Sequence, residues 1–138
     1  MGDVVHRVID RAYDEAMALL MVARDQAARS PVGAKATAIG IRPALLQVGR
    51  SFRITARLGH VLAWILARRA LHAGEITEAE ARSEHFRLAC QETCLATDDD
   101  DDMASAALKR LSLQSLFLYR RIARLDSLID QAQRAAPA

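Results

Sequence analysis

The sequence predicts an all-α fold, an antiparallel three-helix bundle with an additional shorter helical segment before an acidic loop. Three observations carry that prediction. The chain has only 6 Gly, 3 Pro and 4% aromatic residues, and its abundance of Ala, Leu and Arg favours helix while starving strands of the residues they prefer. Apolar residues recur at spacings of three and four through three long segments. The 138 residues, 51% hydrophobic and 26% charged, suffice for one packed domain and exclude a multidomain enzyme. A single domain over residues 1–138 is therefore expected, with flexible stretches at 30–41, 96–102 and 133–138.

The first helix is expected over residues 4–28, where Val5, Ile9, Ala12, Ala16, Leu19, Ala23 and Ala27 form one apolar stripe. Ser30, Pro31 and Gly33 end it, because proline cannot continue the hydrogen-bond ladder and pushes the preceding residue out of the helical region. Residues 31–40 have no sustained period and read as a loop.

The second helix starts near Pro43, where the first-turn N–H groups have no partner in any case, and ends at Gly74 as the left-handed terminal residue. Gly49, Phe52, Ala56, Gly59, Ala63, Leu66 and Ala70 alternate spacings of 3 and 4 along it. This is a heptad seam of mostly small side chains, so Phe52, Ala56, Gly59 and Ala63 are the candidate positions for close helix packing or a dimer seam. Ile54, Leu58, Val61 and Ile65 make a second apolar face, so the helix is expected to be covered on two sides. The remainder is a strip of Arg50, Arg53, Arg57, His60, Trp64 and Arg68, within about 80° at the ideal helical angle. Trp and Arg are enriched at interface hot spots, and this strip is the candidate partner-binding surface. Its alternative reading is a solvated face with Trp64 half-covered by arginine stems.

Thr77 and Glu80 have capping-box spacing and open a shorter helix over 78–95. The acidic run 98–102 repels itself and reads as an exposed loop before the last helix, 103–132. There Leu111, Ser115, Leu118, Ile122, Leu125 and Ile129 make the apolar stripe, widened by Leu108, Phe117 and Leu128. Arg110, Arg120, Arg121 and Arg124 lie outside it.

The formal net charge of +2 conceals a division: five of the 17 acids form the 98–102 run, and none lies between Asp25 and Glu75. Such a split steers charged partners or lets two protomers attract. Residues 1–8 carry Asp3 and His6 and no long apolar stretch, and 61–67 is too short to span a bilayer, so no secretory signal and no membrane span are expected and a cytoplasmic location is. The two cysteines, Cys90 and Cys94, read as reduced small hydrophobes. His85 lies about 140° and 180° from them around a helix, so no metal site is expected. No phosphate loop, nucleophile–base pair or Glu-x-x-His set is apparent, and neither a catalytic residue nor a cofactor is expected.

The second helix also resembles the signature helix of the alphaproteobacterial regulators of CtrA degradation. The resemblance rests on Ser51, Arg53, Thr55, Arg57, Leu58, Val61, Trp64, Leu66, Arg69, Ala70, Gly74 and Glu75, and on Tyr13 to Leu19 with Ala23 to Asp25 in the first helix. Ala56, Gly59, His60, Arg68, Met21 and Val22 depart from the family's pattern. The resemblance implies a dimeric helical bundle that works without catalysis as an adaptor of the ClpXP protease in cell-cycle control, binding protease substrates or other adaptors. Two alternatives stand beside it: a basic helical protein that uses the same arginines on nucleic acid, and a structural helical dimer.

Overall fold

A computed structural model of the chain describes residues 2–29, 34–96 and 105–136. The described residues are all-α, a helical bundle whose three long members are α1 (Gly2–Ala28), α3 (Ile41–His72) and α6 (Ala106–Ala135). Between them lie α2 (Ala34–Ile39), α4 (Glu78–Arg82), a 3-10 turn (Glu84–Phe86) and α5 (Gln91–Leu95).

Each long helix ends where its residues dictate. Gly74 adopts φ +76°, its N–H donates to the Leu71 carbonyl, and the Glu75 N–H reaches back to the Ala70 carbonyl. This is the paired arrangement that closes helices on a left-handed glycine. Ser105 opens α6 by accepting the Leu108 N–H on its hydroxyl. The capping box between Thr77 and Glu80 is present in both directions.

α1 runs antiparallel to α3: His6 stacks on His72 near one end, and Gln26 meets Gln47 around a cleft at the other. α3 and α6 run parallel, since Arg57 reaches Ser112 and Trp64 reaches Asp126 as both chains advance. The described part of the connection between them, residues 73–96, accordingly packs against both α3 and α6. The core gathers Ile9, Ala16, Leu19, Ile54, Leu58, Val61, Trp64, Ile65, Leu111, Leu118, Tyr119 and Ile122.

Five expectations are corrected. The helical bundle is not antiparallel throughout, because α3 and α6 run parallel. Residues 34–39, read as loop, form α2. Residues 133–135, read as fraying, continue α6. Phe117 and Leu128 do not widen the buried stripe; both are exposed. The single helix expected over 78–95 is three short pieces, broken by extended backbone at Ser83 and Arg87 and by a left-handed Cys90 at φ +60°. The break has a physical reason: carbonyls of this segment serve as acceptors for buried side chains of α3 and α6, which a continuous helix would keep for itself. Residues 30–33, the acidic run 98–102 and residues 137–138 lie outside the described residues.

Candidate functional site

The strip predicted to be free is largely interior. Arg57 and Trp64 are 1% and 2% exposed, Arg50 and Arg68 are also buried, and Arg53 and His60 are half-buried. The correction follows from area. Trp64 and the arginine stems remove far more apolar surface from water than glycine and alanine can, so burial favours their side of the helix if the polar tips find partners.

They do find partners. Arg57 donates from Nε to the Cys94 carbonyl at 2.7 Å, from Nη2 to the Ala96 carbonyl at 2.7 Å, and from Nη1 to the Ser112 carbonyl at 3.1 Å. Its Nη1 also reaches the Ser115 hydroxyl at 3.3 Å, while that hydroxyl donates to the Ser112 carbonyl at 2.9 Å. The guanidinium thus ties α5 to the α3–α6 groove through carbonyls. Burial, with Arg53 adding like charge, pushes it down to about 10, so it stays protonated at neutral pH. Beside it, the Tyr119 hydroxyl donates to the Ala89 carbonyl at 2.6 Å, and burial pushes this phenol up.

Trp64 is fixed at the other end of the same interface. Its Nε1 donates to Asp126 Oδ1 at 2.9 Å, and Arg87 closes on both Asp126 oxygens from the returning segment at 2.9–3.0 Å. Arg87 also lies 3.3 Å from Asp130. Arg68 packs its guanidinium 5.4 Å from the indole centroid and donates to the Ala81 carbonyl at 3.3 Å. Four of the six strip residues therefore organise the interior, and the arginines proposed for phosphate contact are not presented to solvent as a patch.

Asp126, Arg87 and Tyr119 were not singled out from sequence, although Asp126 carried a signal. It follows Ile122 by four and Tyr119 by seven, which places an acid on the buried side of α6 and so requires a buried donor opposite.

The face that solvent meets is the heptad seam. Phe52 is 72% and Leu66 55% exposed, Gly59 and Ala63 are exposed, and Ala56 is half-buried. Leu45, 66% exposed, extends the alternation by one step before Gly49, a position sequence reasoning missed. The seam runs from Leu45 to Ala70, roughly 38 Å at about 1.5 Å per residue. Among the described residues, nothing beyond their own stretch of helix comes within 4 Å of where a Cβ would stand at Gly49 or Gly59, so no other described element packs onto the two glycines. A cleft of about 640 Å³ borders the far end of the seam, lined by Ala63, Leu66, Ala70 and Phe86 among others.

Large apolar side chains spaced as a heptad on an exposed helix are suited to receive another helix, with glycine and alanine allowing close approach. Among the described residues no group of three or more His, Cys, Asp or Glu is placed to hold a metal ion, and no helix is long and apolar enough to cross a membrane.

A family model described as protein of unknown function (DUF1465) matches residues 2–138, and the chain belongs to that family. No curated protein and no solved structure matches it.

Proposed function

We propose that this member of the DUF1465 family is a non-catalytic protein-interaction module, a cytoplasmic homodimer joined along the α3 seam, that serves as an adaptor in ATP-dependent, ClpXP-type proteolysis during the cell cycle. The observation that carries the interaction half is the alternation of exposed Leu45, Gly49, Phe52, Gly59, Ala63 and Leu66 with half-buried Ala56 and Ala70. A row of this kind is self-complementary about a two-fold axis, with the phenyl and leucyl groups of one copy facing the gaps of the other.

The adaptor half is supported by the residues that resemble the regulators of CtrA degradation. Four of those on α3, Arg57, Leu58, Val61 and Trp64, lie in the interior, and the polar ends of Arg57 and Trp64 bridge α3 to α6. Partner contact is accordingly assigned to the seam and its rim, not to the arginine strip.

The test is a measurement of protein half-lives after synthesis is stopped, in cells with and without the chain. The adaptor reading expects a defined set of short-lived proteins to become long-lived in its absence, with restoration by wild type but not by Phe52→Glu/Leu66→Glu. Unchanged half-lives across the proteome would contradict it.

A further inference from the structure

At the end of the bundle where α1 begins and where α3 and α6 end, a cleft of about 800 Å³ opens. That volume lies in the range of small-molecule sites, which are mostly apolar with a few placed polar groups. Val5, Ile9, Leu71, Ile76 and Ile129 supply the apolar wall. Among the polar residues that line the same cleft, Arg68 is the buried one.

Arg68 is only 8% exposed, and its Nε has no hydrogen-bond partner among the described residues. A buried N–H left unmet costs stability comparable to a lost hydrogen bond, so the donor is kept at a cost unless something else accepts from it. The internal carboxylate nearest in effect, Asp126, already accepts from Trp64 and Arg87. At the mouth, the His72 ring stacks on His6 with centroids 4.5 Å apart, while His6 Nε2 lies 3.6 Å from Asp10. His72 is exposed and lines the cleft, so a ring N–H of its own is available as a second donor. Gly2 and Val5 belong to the first turn of α1, whose unpaired N–H groups favour negative charge.

The charge a ligand can carry is limited. Glu78 stands on the rim, and the C-terminal ends of α3 and α6 bring partial negative charge to the same place. A single negative charge with an apolar body matches this set; a phosphate dianion does not.

We propose that this cleft binds an aliphatic monocarboxylate, its carboxylate accepting from Arg68 and its chain lying on the wall from Val5 to Ile129. The site is separate from the α3 seam, and its success or failure leaves the dimer reading untouched.

Calorimetric titration of the full chain with octanoate tests the proposal, with 1-octanol and octyl phosphate as controls. Octanoate is expected to bind saturably at one site, and both controls at least about tenfold more weakly, as loss of a charge-assisted hydrogen bond or an added repulsion requires. Arg68→Met should weaken octanoate by at least about tenfold and leave octanol unchanged. Gln133→Trp, which fills the mouth while retaining Arg68, should weaken octanoate too. If Arg68→Met proves unfolded by circular dichroism, Arg68→Gln, which removes the charge but keeps a polar donor for the Ala81 carbonyl, gives the same reading. Octanol binding as tightly as octanoate, octanoate indifferent to Arg68, or no saturable octanoate binding would each overturn it.

Discussion

Trp64 and Asp126 form the one indole-to-carboxylate bond of the described core, Nε1 to Oδ1 at 2.9 Å, and neither residue is more than 2% exposed. An aromatic on α3 thereby fixes the height of α6, while Arg87 brings the returning chain onto the same carboxylate. The bond explains why α3 and α6 can run parallel with a long detour between them: the detour is itself anchored where the two helices meet.

Removing Asp126 leaves the buried Trp64 N–H without its acceptor and takes one of two carboxylates from the half-buried Arg87. Asp126→Ala is expected to cost about 1–3 kcal/mol, the range for leaving a buried donor unmet. Asp126→Asn should cost less, since it still accepts from Trp64 and Arg87 retains Asp130. Urea unfolding followed by Trp64 fluorescence measures both.

Arg57 holds α5 through backbone carbonyls, so its loss should be felt locally first. In Arg57→Met, amide exchange of residues 91–96 is expected to accelerate by about tenfold or more while the centre of α3 stays protected, with a global loss of about 1–3 kcal/mol. Exchange read by mass spectrometry distinguishes this from uniform destabilisation.

Tyr119 gives a pH dependence with a definite sign. Burial raises its folded-state pKa above the unfolded value near 10, so its contribution is complete below about pH 10 and is lost as the pH rises through the folded value. Arg57, lowered by burial, acts oppositely above about 10. Comparing wild type with Tyr119→Phe cancels the arginine: the variant should be about 1 kcal/mol less stable at pH 7, and the gap should narrow above pH 10. Chemical denaturation across that range checks it.

Gly59 tests the seam by opposing signs. A Cβ there meets no other element within 4 Å among the described residues, so Gly59→Ala should raise helix stability by up to about 1 kcal/mol in a monomer. Gly59→Leu should instead prevent close approach of a second copy. Thermal melts at two concentrations separate the effects, because only a dimer makes the midpoint concentration-dependent.

The long helices were legible because apolar spacing and Gly74 are local signals, as is the Thr77 capping box that opens α4. α3 shows where local reading stopped. Both of its non-isoleucine faces had a plausible partner-facing pattern, and the choice between them depended on groups distant in sequence: the Cys94, Ala96 and Ser112 carbonyls for Arg57, and Asp126 for Trp64. A row of arginines looks solvated until acceptors elsewhere are found for it. The breakup of 78–95 has the same origin, since the capping box starts a helix but long-range donors take its later carbonyls.

The central claim is that the small-residue seam of α3, and not its arginine side, joins two copies of the chain. Light scattering coupled to size exclusion measures it most directly. The account predicts a particle of twice the 15.2 kDa chain mass for wild type, and a particle of the single-chain mass, with helicity retained, for Phe52→Glu/Leu66→Glu. A wild-type particle of single-chain mass at micromolar concentration, or a dimer indifferent to both substitutions, would contradict it.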